Sequence, residues 1–207
     1  MSYNDNCTYL FRMIFSPFLY VFVAIKLYHK RRKISCINPK KSAVYAYLGY
    51  FTIGYVLIMF GECKDEQLMQ DMCNAAIGHD LIEDTDVTED DIVRASNRRV
   101  LGLIKELTNP IDDDHTEQYM EQLKVASEEA RLIKYADLVE NTISVCYNFH
   151  IVGEEWAYNF YRAIMYRTLS VLEETEFPIY PRTAEFLHSM LKVYIRVLNN
   201  KNLQTQK

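Results

Sequence analysis

The chain of 207 residues is poor in turn-makers, with 6 glycines and 5 prolines. An all-β protein needs frequent turn punctuation, which is missing here. The five cysteines (Cys7, Cys36, Cys63, Cys73, Cys146) are odd in number and form no CxxC pair. That argues against a disulfide framework and against a structural zinc site, and it favours a reducing, cytoplasmic setting. No Gly-rich phosphate loop and no Ser/His/Asp arrangement stands out. Positive charge is not in excess either. The formal net charge is −5 and the sequence pI about 5.6, so the molecule as a whole is not expected to bind nucleic acid. The start of the chain lacks both the basic residues and the small-residue cleavage site of a signal peptide.

Hydrophobic residues are abundant, at 49% of the chain. That suits one domain with a sizeable core, expected over 1–200, followed by a polar, disordered tail at 201–207. Two apolar runs, Met13–Ile25 and Ala43–Phe60, flank a basic segment with Lys26, Lys30, Arg31, Arg32, Lys33, Lys40 and Lys41. This layout fits either a membrane hairpin with a positive-inside loop or two buried helices of an all-α core. Pro17 in the first run and Tyr45, Tyr47, Tyr50 and Tyr55 in the second favour burial, because tyrosine hydroxyls want a partner or water. Membrane contact is the less favoured reading.

Apolar spacing predicts helices nearly throughout. The first ends at Lys33 and the second covers about Ser42 to Phe60. The third runs from about Asp65 to Ile82. Thr88 is a good N-cap, with Glu89, Asp90 and Asp91 complementing the dipole of a helix that stops near Asn109-Pro110. Helices are then predicted at about Thr116–Glu128, Glu129–Asn148, Glu154–Glu174 and Thr183–Leu198. The fold class is therefore all-α, as a single helical bundle.

Chemistry concentrates in two places. His79, Asp80, Glu83 and Asp84 close the third predicted helix. His79 and Glu83 share a face at i, i+4, as do Asp80 and Asp84, if the helix continues that far. The residues before them are small or apolar and read as buried, and charge at such a place is paired or binds a metal. Lys134, Asp137 and Asn141 share a second helical face at spacings of three and four. An imidazole with two carboxylates suits Mn, Fe or Zn. Glu83 and Asp84 could then activate water, Lys134 meet a phosphate and Asn141 a sugar hydroxyl. The bland alternatives are a solvated acidic loop at Glu83–Asp91 and a structural ion pair between Lys134 and Asp137. The run Lys30-Arg31-Arg32-Lys33 is either a solvated helix end or a phosphate clamp.

The segment Ala75-Ala76-Ile77-Gly78-His79-Asp80-Leu81-Ile82-Glu83-Asp84-Thr85 resembles the HD motif of the RelA/SpoT hydrolase domain, with its following Glu-Asp-Thr. Thr88 and Leu103–Thr108 resemble the next family segment. Lys134-Tyr135-Ala136-Asp137 with Asn141 resembles the Lys-x-Ala-Asp-x-x-x-Asn element, and Arg32-Lys33 is similar to the Arg-Lys pair that meets the nucleotide. The chain looks like the small, hydrolase-only form. The resemblance implies an all-α HD domain that removes the 3′-pyrophosphate of (p)ppGpp with Mn2+. It implies His79, Asp80 and Asp137 as metal ligands and Glu83 and Asp84 as the water-activating pair. It also implies Arg32, Lys33, Lys134 and Asn141 as substrate contacts. Animal members of the small form are associated with NADPH phosphatase activity as well.

One departure is visible. The family carries a further metal histidine in a Gly-x-Pro-Tyr-x-x-His-Pro stretch, where this chain has Ser35-Cys36-Ile37-Asn38-Pro39. His29 is the one histidine upstream of His79. Either His29 substitutes, or the metal has fewer protein ligands, or the site is degenerate. Three readings follow: an alarmone pyrophosphohydrolase, an HD hydrolase of another nucleotide such as NADPH or a dNTP, and a non-catalytic domain that binds a nucleotide or a protein. Oligomeric state is not legible in the sequence.

Overall fold

The computed structural model describes residues 60–109 and 116–205. The apolar runs (Phe60 apart), the basic segment with Arg32 and Lys33, His29 and Asn38 lie outside the described residues.

Among the described residues all regular structure is helical. We label the helices α1 (Glu66–Gly78), α2 (Leu81–Asp84), α3 (Glu89–Ala95), α4 (Arg98–Leu107), α5 (Thr116–Val125), α6 (Glu128–Val152), α7 (Arg162–Glu174) and α8 (Pro181–Thr205), with a π turn at Trp156–Tyr161 before α7. Helix α6 is the axle of the bundle. It packs against α1, α4, α7 and α8. Its apolar positions are buried almost all round, among them Ala130, Leu132, Ile133, Tyr135, Ala136, Leu138, Val139, Val145 and Cys146. A helix apolar over most of its circumference belongs in a core, and one polar stripe is left for Lys134, Asp137 and Asn141.

Helix α1 starts because the Asp65 carboxylate accepts from the N–H groups of Gln67 and Leu68 at 2.9 and 3.1 Å. It buries Met69, Met72, Cys73 and Ala76, the i, i+3, i+4, i+7 stripe that faces α4 and α6. The helix expected to run on to Ile82 stops at Gly78 instead. His79 stays right-handed helical but Asp80 moves to φ −90°, ψ 0°, and α2 begins afresh. The cause is local. The His79 ring takes the Ala76 carbonyl at 2.8 Å, the acceptor that a continued helix would offer to the Asp80 N–H.

A second predicted helix is also two. Thr88 caps α3 through a capping box with Asp91, as the sequence suggested. The chain then breaks at Ser96-Asn97, and the Asn97 side-chain oxygen caps α4 on the N–H groups of Arg99 and Val100. The Asn97 amide also donates to Asp71, 1% exposed, which Gln67 and Arg99 complete. This buried knot joins α1 to α4.

Ser127 caps α6 on the N–H of Ala130. The buried Glu128 carboxylate accepts from the N–H groups of Ile179 and Tyr180 at 2.8 and 2.7 Å, fixing the extended break before α8. Pro181 then supplies the first residue of α8, a position where its missing N–H costs nothing. Helix α8 runs to Thr205, further than apolar spacing suggested.

Candidate active site

The site forms where the C-terminal end of α1 meets the middle of α6. The His79 side chain is 16% exposed. A carbonyl only accepts, so the His79 Nδ1 carries a hydrogen and donates to Ala76. The tautomer follows from that bond. Nε2 is thereby aimed at two carboxylates, Asp80 Oδ1 at 3.0 Å and Asp137 Oδ1 at 3.3 Å. A neutral Nε2 lone pair would repel both oxygens. The arrangement therefore needs either a second proton on the ring or a cation among the three atoms. Burial lowers the basicity of His79, but the charges of Asp80 and Asp137 outweigh it and hold the imidazole well above its ordinary value.

Asp137 is supplied by α6 and its side chain is 12% exposed. Its two oxygens have different partners. Lys134 Nζ donates to Oδ2 at 2.9 Å, and Asn141 Nδ2 donates to Oδ1 at 2.7 Å. The spacings of three and four thus converge on one carboxylate, as expected for one helical face. Burial pushes this carboxyl up, yet the Lys134 ammonium and then His79 pull it well below the usual carboxylate range. Burial likewise opposes the Lys134 charge, and Asp137 overrides it, so the ammonium persists. Asp80 reaches solvent, with 59% of its side chain exposed, so water softens its coupling to the others. Its carboxyl is nonetheless lowered, desolvation being outweighed by His79.

Helix α2 carries the other two acids. The Glu83 carboxylate accepts from the backbone N–H of Asn109. Burial raises its pKa, the Asn109 bond opposes that, and the nearby Asp80 charge raises it further. Asp84 is half-buried one residue on, and its N–H donates to the Asp80 carbonyl at 2.8 Å. His79, Asp80, Asp137, Lys134 and Asn141 are therefore gathered into one contact network, with Glu83 within electrostatic reach of it.

Two tyrosines at the site were not visible in the sequence. The Tyr161 hydroxyl meets Thr142 Oγ1 at 2.7 Å, one residue beyond Asn141 on α6. Tyr119 of α5 lies beneath Lys134, whose Nζ is 5.7 Å from the ring centroid. Nothing in apolar periodicity separates a tyrosine that faces a site from one that fills a core.

An imidazole nitrogen and two carboxylates are the donor types that Mn, Fe or Zn accepts. The demand for a cation at Nε2 fits the same chemistry. Among the described residues, however, no group of three or more His, Cys, Asp and Glu side chains stands as a ready-made metal site. The donors touch one another, and Lys134 occupies Asp137 Oδ2. His29, the candidate upstream ligand, lies outside the described residues.

No protein-family model matches the chain, and no curated protein matches it. Among solved structures it is similar to a metazoan ortholog of SpoT that hydrolyses ppGpp and plays a role in starvation responses. Identity is 21% over 91% of this chain and 93% of that one, with a TM-score of 0.57. The chain has the HD-domain fold. At this identity the likeness is one of fold, and it agrees with the all-α, single-bundle architecture expected from the sequence. Among the described residues of this HD fold, no helix is long and apolar enough to cross a membrane.

Proposed function

We propose that this HD domain is a metal-dependent phosphohydrolase whose substrate is a guanosine 3′,5′-bis(diphosphate) alarmone. The observation that carries the reading is His79, its Nδ1 committed to Ala76 and its Nε2 aimed at the oxygens of Asp80 and Asp137. His79, Asp80 and Asp137 would hold the metal, Mn2+ being favoured. Such a metal lowers the pKa of a bound water and polarises a phosphoryl oxygen. The chain's own residues then have distinct tasks. Glu83, with its raised carboxyl, takes a proton from the water, and Asp84 on the same helix assists. Lys134 faces the negative charge that builds on the phosphoryl group. Asn141 orients the sugar, and Arg32 and Lys33 hold the distal phosphates. Water replaces the sugar oxygen on phosphorus, and the proton ends on that oxygen. The fold similarity to a protein that hydrolyses ppGpp supports the choice of substrate.

The test is release of pyrophosphate and GDP from ppGpp by the purified chain with added Mn2+. Asp80→Asn should abolish turnover while leaving the helical circular dichroism intact. Release of phosphate from NADPH alone, or hydrolysis of dNTPs alone, would move the chain to another substrate class. A second reading, a nucleotide-binding HD domain without catalysis, is favoured by one feature: the Lys134 ammonium already seated on Asp137. Saturable ppGpp binding with no turnover at any Mn2+ concentration would select it.

A further inference from the structure

The single tryptophan of the chain stands partly in solvent. Trp156 is 42% exposed, Phe160 56% and Ile164 40%, in a row along the π turn and the first turn of α7. Large side chains of this kind are usually buried, so a contiguous exposed row of them marks a binding surface. The buried stripe of the same segment is Ala157, Tyr161 and Met165. On one side of that stripe Tyr158 donates to the Leu198 carbonyl at 3.1 Å and Tyr166 accepts from Asn199 at 3.2 Å, so α8 closes that flank. On the other side Val171 is buried, about two turns beyond Ile164 on the same face, and Arg167 meets Glu117 of α5 at 3.3 Å. Glu117 lies in the first turn of α5, and among the described residues α5 reaches no further along α7. The flank is therefore open at Ile164, Phe160 and Trp156. It borders the candidate site from two directions. Tyr119, two residues beyond Glu117, lies beneath Lys134, and Tyr161 reaches Thr142, the neighbour of Asn141.

We infer that this aromatic shelf seats the purine ring of the nucleotide, with Trp156 and Phe160 stacking on it; the inference rests on the nucleotide reading above. The shelf is rigid. Thr142 donates its one hydroxyl hydrogen to the Leu138 carbonyl at 2.7 Å, so it accepts from the Tyr161 hydroxyl, also at 2.7 Å. Tyr161, so anchored, backs Trp156, whose ring lies on it with centroids 5.7 Å apart and planes 17° from parallel. The Phe160 ring is 5.9 Å from that of Trp156 and tilted by 40°. Rings held in place beforehand lose little freedom when a ligand stacks on them. A nucleotide with its phosphate at Asp137 and its sugar at Asn141 carries its base toward this end of α6. Ring faces read no base edge, so the shelf selects a large aromatic base and does not tell guanine from adenine.

The experiment uses the two products of the proposed reaction, one with a base and one without, on the full chain with Mn2+ present and no turnover required. GDP should quench the emission of the single tryptophan saturably, and pyrophosphate should not. Phe160→Ala and Trp156→Leu should each raise the Kd for GDP about tenfold by calorimetry, within the usual worth of stacking one base. The Kd for pyrophosphate should stay as in the wild type, and ADP should bind about as well as GDP. Phe160 is the more exposed of the two, so Phe160→Ala keeps the test open if Trp156→Leu does not fold. GDP binding without quenching, or a GDP Kd unchanged in Phe160→Ala, would overturn the inference and leave the nucleotide reading standing. Equal weakening of GDP and pyrophosphate would mean a general disturbance of the site and overturn it too. So would a change of oligomeric state in the variants at constant GDP affinity, which would make the shelf a contact between copies. A wild-type chain that binds neither product would sink both together.

Discussion

The backbone N–H of Asn109 donates to the carboxylate of Glu83, tying the end of α4 to the short helix that borders the site. This bond fixes the acid in place without neutralising it. Burial holds the carboxyl above its usual range, and the charge of Asp80 adds to that. A carboxylate so held is a stronger base than a solvated one, which suits it to take a proton from water. Glu83→Gln is expected to lower kcat on ppGpp by roughly 10²–10⁴-fold, the usual worth of a general acid–base group. Mn2+ affinity should change little, since Glu83 is not among the proposed ligands. Steady-state kinetics beside calorimetry separates the two, and a kcat equal to wild type would remove Glu83 from the mechanism.

The His79 imidazole gives the metal-free protein a distinctive pH response. Its folded pKa is raised above the ordinary 6.5, desolvation being outweighed by Asp80 and Asp137. A raised pKa means that the contribution to stability is complete below 6.5 and fades as pH climbs through the folded value. Asp137 behaves in the opposite sense, since its depressed pKa makes its contribution fade only in strong acid. Thermal melts of the metal-free chain should therefore fall on the alkaline side of neutrality, and His79→Gln should flatten that fall. Added Mn2+ should restore the alkaline melting temperature, because a ligand that binds the folded state stabilises it and competes with the ring proton. A fall of the same steepness in His79→Gln would show that other groups cause it.

Glu128 makes a prediction about the fold rather than the chemistry. Its buried carboxylate satisfies the N–H groups of both Ile179 and Tyr180 before α8. Glu128→Ala strands two backbone donors and should cost about 2–3 kcal/mol of unfolding free energy in urea titration. Glu128→Gln retains an acceptor oxygen and should cost less. Equal losses for the two variants would point to side-chain packing instead.

Sequence patterning revealed the helices well and their joints poorly. Thr88 announced its N-cap because that signal is local, and the capping box with Asp91 is completed within four residues. The breaks at His79-Asp80 and Ser96-Asn97 escaped because apolar spacing continues across them. A polar side chain makes each break, and its effect depends on which backbone group it reaches. At the site, Lys134, Asp137 and Asn141 were readable as one face, since helical spacing alone places them together. The approach of His79 Nε2 to Asp137 was expected from the donor types and from the resemblance, not from spacing, because it depends on how α1 crosses α6. Tyr119 carried no signal at all. Its place beneath Lys134 depends on how α5 packs in the folded chain.

The π turn at Trp156–Tyr161 also has a consequence for how this chain can change over time. In such a turn, residues five apart stack, and Trp156 lies on Tyr161 with ring centroids 5.7 Å apart and planes 17° from parallel. The turn amounts to one extra residue in an α ladder. Deleting that residue would restore regular hydrogen bonding locally, but would rotate one flank against the other by roughly 100°. Tyr161 would then leave Thr142, or Met165 and Leu169 would leave the core. The segment works as a phase adjuster between the end of α6 and the apolar stripe of α7. Length variation is therefore admissible on either side of it only in steps that preserve that phase.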